Sequence, residues 1–166
     1  IIAGRVTTGT VKIGDRLVFS PSNKTAVVKS VEEFNVPVPP TTATAGQSAG
    51  FTLDEQIFIE RGVIASLTDD PPEVSALFRG NVFLMGDSAL KEGESYEIRL
   101  ATREMEMKVT AIHGIMYAET LGKSAATGEI PRYAVAEVTI QTKHPIAFDR
   151  YADNQNTGRF VIVEGY

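Results

Sequence analysis

The stretch KHPIAFDRYADNQNTGRF, residues 143–160, sets Asp149, Asp153, Asn154, Asn156 and Thr157 close together in sequence. Oxygen-bearing side chains at such spacing can ligate a hard cation such as calcium. A calcium loop of that kind needs Gly at its sixth position and a bidentate Glu at its twelfth. Counting from Asp149, those positions hold Asn154 and Phe160, so the metal reading fails. The segment GKSAATGE, residues 122–129, contains the Gly-Lys-Ser of a phosphate loop. That loop needs an earlier glycine, where Tyr117 stands, and a following helix to aim N–H groups at phosphate. Gly128-Glu129-Ile130-Pro131 follows instead and breaks any helix.

The two histidines offer little more. His113 lies inside the strand-like TAIHGIM, and His144 precedes Pro145. Neither stands in a metal-binding or HExxH spacing, and a hydrogen-bonded structural role is the reading of each. The acidic pairs Glu32-Glu33, Asp54-Glu55 and Asp69-Asp70 fall near turns, where solvated charge is the default. There is no cysteine, which removes disulfides, thiolate zinc sites and a Cys nucleophile. No nucleophile, base and orienting group come together in the pattern. By residue type the chain is a binding or scaffolding module, with no catalytic, cofactor-binding or metal-binding residue to name.

Composition narrows the partners. The 166 residues carry 16 Lys and Arg against 21 Asp and Glu, a net charge of −5. The cations stand singly, at Arg5, Lys12, Arg16, Lys24 and Lys29, without the clustered stripe a phosphate backbone demands. Direct nucleic-acid binding is not expected. Apolar runs are a few residues long, so no membrane-spanning helix and no membrane partner are expected. The cysteine-free composition fits a reducing cytosol, and a cytoplasmic location is the expectation.

The elements that must position these residues are strands. In YEIRLA, Tyr96, Ile98 and Leu100 alternate with Glu97 and Arg99. In EMEMKV, Met105, Met107 and Val109 alternate with Glu104, Glu106 and Lys108; in AEVTIQT, Ala136, Val138 and Ile140 alternate with polar neighbours. A period of two marks half-buried antiparallel strands. Turn residues recur at short intervals, at Gly9, Gly14-Asp15, Gly86-Asp87 and Gly93. Only DEQIFIERG could hold a helical turn, capped by Asp54. The class is all-β. The alternation stops before Pro71-Pro72 and restarts at Val74, which predicts two consecutive antiparallel β-barrels, residues 1–70 and 73–166. Val11, Leu17, Phe19, Val28 and Phe51 are expected in the first core, with Val11 and Ile13 pointing inward. Ile98, Leu100, Met107, Val109, Val138, Ile140 and Phe160 are expected in the second.

Two stretches carry a family resemblance. AGRVTTGTVKIGDRLVFSPSNKTAVVKSV, residues 3–31, and AGQSAGFTLD with IERGVIAS, residues 45–66, resemble the second barrel domain of translation-type GTPases. The HPIAFDRYADNQNTGRF segment, with the chain from Asp69 onward, resembles the third domain of the large, GTPase subunit of bacterial sulfate adenylyltransferase. Elongation factor Tu has a similar His-Pro-Ile-Ala but a shorter connection to the next strand. The resemblance implies barrels of the translation-factor type. It implies an upstream G domain in the same polypeptide, holding GTP and Mg, that this chain lacks. It further implies a small adenylyl-transferring partner subunit, and leaves open a fused adenylylsulfate kinase domain. By the same resemblance the chain begins inside the first barrel's opening hairpin and ends before the family's last strand, so the strand at 160–163 is expected at an edge. The tRNA-binding domains of an elongation factor are the alternative, against which the acidic charge and the long loop count. Phe148, Arg150 and Tyr151 are the partner-interface candidates. Isothermal titration of this chain with GTP or with ATP should show no binding in the micromolar range, and a micromolar GTP isotherm would refute this reading of its motifs.

Overall fold

The computed structural model describes residues 1–117, 121–125 and 128–164. Among them all regular structure is β-strand, as the alternation predicts. The helical turn expected at DEQIFIERG does not form. Asp54 serves the sheet instead. Its N–H donates to the Val27 carbonyl at 3.0 Å, and its Oδ1 accepts from the Val27 N–H at 2.7 Å. The side chain thereby continues a ladder that the backbone cannot continue alone.

The first unit holds β1 (Ile2–Arg5), β2 (Thr10–Lys12), β3 (Arg16–Ser20), β4 (Lys24–Glu32), β5 (Thr42–Thr44), β6 (Ser48–Leu53) and β7 (Ile64–Leu67). Five of these form a sheet in the order β1-β6-β4-β3-β7, and β2 pairs with β5. Leu17, Phe19, Val28 and Phe51 fill its core as expected, together with Val6, Ala26 and Val31. Val11 packs against that core from its margin. Ile13 corrects the expectation: it is 44% exposed. β2 ends at Lys12, and the Asp15 N–H closes a turn onto the Lys12 carbonyl at 3.1 Å, so the period of two is lost before Ile13.

The second unit is built around β8 (Glu73–Phe83), β9 (Leu90–Lys91), β10 (Ser95–Leu100), β11 (Arg103–Tyr117), β12 (Lys123–Ser124), β13 (Glu129–Ile130), β14 (Ala134–Phe148) and β15 (Phe160–Val163). The ladder runs β15-β10-β11-β14-β8, with β12 added to β11 and β13 paired to β9. β11 and β14 are antiparallel, from Met107 opposite Thr142 to Tyr117 opposite Ala134, with register shifts at Val109/Ala111 and Ile112/Gly114. Such shifts bend and twist a long strand pair, as a barrel wall requires. Ile98, Met107, Val109, Val138 and Ile140 are buried as expected, and Ile130, Ala134 and Ala136 join them. Leu100 is buried, whereas Phe160 is half-buried. β15 lies at one end of the second ladder path, β2 pairs with β5, and β13 pairs with β9.

The units divide at Val74/Ser75, but the first also takes Leu100–Arg103 and Ala147–Phe160. By its contacts the first unit thus reaches beyond residues 1–70 through two returns of the chain, which local pattern does not report. One return bears on Gly62 in the IERGVIAS stretch. Arg103 donates from Nη1 to the Arg61 carbonyl at 3.4 Å and lies 3.5 Å from Glu60 Oε2. A Cβ on Gly62 would fall 2.6 Å from Arg103 Cδ and 2.9 Å from its Cα. Gly62 also sits at φ +91°, which favours glycine. Gly14 has nearly the same φ, +92°, with nothing within 4 Å of a Cβ. Gly14→Ala should cost about 1 kcal/mol for its backbone conformation, and Gly62→Ala about 1–3 kcal/mol more for the close approach. Urea denaturation of the two variants checks this; equal midpoints would mean Arg103 yields without cost.

Candidate functional site

The polar loop between β14 and β15 is held by its own backbone. The Asp149 N–H donates to the Thr157 carbonyl at 3.3 Å, and Thr157 Oγ1 donates to Asp149 Oδ2 at 2.5 Å, closing the neck. Thr157 is buried there. Inside the loop, the N–H groups of Asp153 and Asn154 both donate to the Arg150 carbonyl, at 2.9 and 3.0 Å. Asn154 Oδ1 accepts from the Asn156 N–H at 3.1 Å. Asn154 Nδ2 donates to Thr7 Oγ1 at 3.4 Å, which ties the loop to the first unit. Of the oxygens that suggested a cation, Asp149 Oδ2, Asn154 Oδ1 and Thr157 Oγ1 are engaged in turn hydrogen bonds, as Asx residues commonly are.

Gly158 makes the compactness possible. A Cβ there would lie 2.5 Å from Tyr151 Cα, 2.6 Å from Tyr151 N and 2.7 Å from the Asn154 carbonyl oxygen. All three are backbone atoms that no rotamer change can move. The fold presents Arg150 and Tyr151 outward on this closed frame. Tyr151 is 54% exposed, and the Arg150 side chain is 76% exposed, with Nε 3.5 Å from Glu73 Oε1. Exposed ion pairs of this kind contribute little to stability, so Arg150 remains open to exchange its partner. Phe148 is half-buried at the foot of the loop. Arg150 and Tyr151 therefore share an accessible tip, and Phe148 anchors it. Glu73 and Thr7 escaped the sequence reading, since each lies more than seventy residues from its loop partner and leaves no local signal.

The other candidates disperse. His113 is exposed on β11, its Nε2 2.6 Å from Thr139 Oγ1, so it is satisfied but lies on the outer face. His144 is exposed, its N–H 3.4 Å from Met105 Sδ. Glu32 accepts from Ser30 Oγ at 2.7 Å, and Asp69 and Asp70 are exposed. Lys123 and Ser124 form β12 against Met116 and Ile115, a hairpin arm with no helix after it; Ala126 and Thr127 of that segment lie outside the described residues. Among the described residues no three His, Asp or Glu side chains converge to hold a metal.

If Gly158 is what lets the loop fold onto itself, Gly158→Ala should open it without unfolding the sheets. Amide exchange at Asp153 and Asn154 should quicken at least about tenfold, while the amides of β11 and β14 keep their protection. Unchanged exchange in the loop would refute the role given to Gly158.

Residues 77–166 match the family described as GTP-eEF1A C-terminal domain-like. Over 98% of its length the chain is 32% identical to sulfate adenylyltransferase subunit 1 of Shewanella oneidensis, and over 97% it is 32% identical to that of Francisella tularensis subsp. novicida. It is 30% identical to the bifunctional enzyme NodQ of Rhizobium sp. (strain N33), of which it covers 25%. The chain spans about a third of the length of the two subunit 1 relatives, 34% in each case. The fold is similar to that of Sup35 complexed with GDP, with a TM-score of 0.85 at 16% identity, across 98% of this chain and 40% of Sup35. The long loop, the all-β ladders and these likenesses agree: this chain belongs to the GTP-eEF1A C-terminal domain-like family, as a translation-factor-type barrel segment homologous to sulfate adenylyltransferase subunit 1.

Proposed function

We propose that this chain is the non-catalytic β-barrel part of the GTPase subunit of a sulfate adenylyltransferase. The observation that carries the reading is the 32% identity to a protein named sulfate adenylyltransferase subunit 1 over 98% of the chain. The parent enzyme joins sulfate to the adenylyl group of ATP and releases diphosphate, with GTP hydrolysis driving the unfavourable step. GTP and Mg belong to a G domain upstream in the same polypeptide, and the adenylyl transfer belongs to a small partner subunit. These barrels relay the nucleotide state from the first to the second, in the cytoplasm. A fused adenylylsulfate kinase is part of the proposal, supported by the relative named a bifunctional enzyme. The elongation-factor alternative has the fold in its favour and the charge of −5 against it.

A relay needs a rigid contact surface. Arg and aromatic residues on a well-held frame are the usual centre of protein interfaces, and the Arg150–Tyr151 tip has that character. Replacing both by Ala in the full-length subunit should cut the stimulation of GTP hydrolysis by the small subunit about tenfold, while the basal rate and the melting temperature stay unchanged. Full stimulation in a well-folded double variant would reject the tip as the contact. Tight tRNA binding by the full-length subunit would favour the elongation-factor reading instead.

A further inference from the structure

Two buried hydroxyls in the first unit have no partner in the protein. Ser20 is 1% exposed and Ser66 half-buried, and the Oγ of each is shielded from solvent without making a hydrogen bond. They are exceptions. The other buried hydroxyl residues, Thr142 and Thr157, donate to the His144 carbonyl at 2.8 Å and to Asp149 Oδ2. Ser22 donates to the Phe19 carbonyl at 2.9 Å, so the turn after β3 is served without Ser20. A hydroxyl taken out of water with no partner is destabilising, and native folds rarely keep one so.

The register of β3 against β7 relates the two serines. Val18 faces Ser66 and Ser20 faces Ile64, in an antiparallel pair without a shift. Residues directly opposed share a face, and so do residues two apart along a strand. Ser20 and Ser66 therefore stand on one face of the pair, at the two ends of a diagonal. The crossing diagonal holds Val18 and Ile64, whose side chains offer no polar atom. Across the ladder each serine thus meets an aliphatic residue. Diagonal positions lie about 7–8 Å apart at the backbone. Two short serine side chains close part of that gap, but not to the roughly 2.7–2.8 Å of a direct O–H···O bond. One small molecule bonded to both oxygens spans about 5.5 Å, which the diagonal allows.

We infer that Ser20 and Ser66 hold one buried water molecule between β3 and β7. Water accepts from one hydroxyl and donates to the other, and each hydroxyl can act in either role. An ion does not suit the place, because two neutral hydroxyls do not replace the hydration it would lose. The position gives the water a purpose. β7 is the end strand of its sheet and has β3 as its neighbour there. A water bonded across the pair by side chains adds a tie beyond the backbone ladder.

Two measurements on this chain test the site together. A crystal structure at a resolution that shows ordered water should place one molecule within hydrogen-bond distance of both Oγ atoms, and the Ser66→Ala structure should lack it. Oxygen-17 relaxation dispersion counts long-lived internal waters without interference from exchanging hydroxyl protons. That count should fall by one in Ser20→Ala and in Ser66→Ala. Should Ser20→Ala not fold, Ser66→Ala, on the end strand, decides alone. Serines bonded directly to each other overturn the site, as does a water bonded to one of them or to neither. A dispersion count that Ser66→Ala leaves unchanged overturns it as well.

Discussion

The pairing of β11 with β14 is the constraint that organises the rest of the second unit. Each strand runs fifteen residues, and their facing sides bury Met107, Val109, Ile112 and Ile115 with Ala136, Val138 and Ile140. Each fully buried aliphatic side chain of this size contributes about 1.5–3 kcal/mol. The ion pairs on the outer face, Lys143–Glu106 and Arg79–Glu137, are exposed and are each worth about 0–1 kcal/mol. Burial therefore sets the register. Two one-residue shifts within the pair let the strands bend while keeping apolar residues inward. Two braced segments flank β14 in sequence: the Tyr133 turn precedes its first residue, and the polar loop follows its last.

Both segments are braced without a buried core of their own. The loop does so with backbone bonds across its neck and a glycine against the Tyr151 backbone. The Tyr133 turn does so by bonding to Leu84 and by stacking Arg132 on the ring.

Charge separates the proposed partners. RNA is a polyanion whose affinity for a protein depends on clustered cations. Here acids outnumber bases, and several exposed cations are engaged locally, Arg99 with Glu97 at 2.7 Å, Arg132 with Asp87 and Arg150 with Glu73. The fold is shared with Sup35 at 16% identity. Function resides in the surface that each family paints on that fold.

What the sequence determined by itself is whatever has a short period. Alternation over six or seven residues declares a strand and its inner face, because successive side chains point to opposite sides whatever lies beyond. Leu17, Phe19, Val28, Met107, Val109, Val138 and Ile140 were legible for that reason. Tertiary structure alone decided the rest. Asp54 reads as a helix cap until Val27 is seen opposite it. Ile13 reads as inward until the Lys12–Asp15 turn rotates it out. The chain's two returns to the first unit rest on pairs such as Gly62 with Arg103 and Asn154 with Thr7, separated by long stretches whose closure no spacing rule encodes. The left-handed backbone of Tyr133 is also invisible in sequence, because residue type argues against it. Local sterics alone would have placed a glycine there, and only the packed fold holds a tyrosine in that conformation.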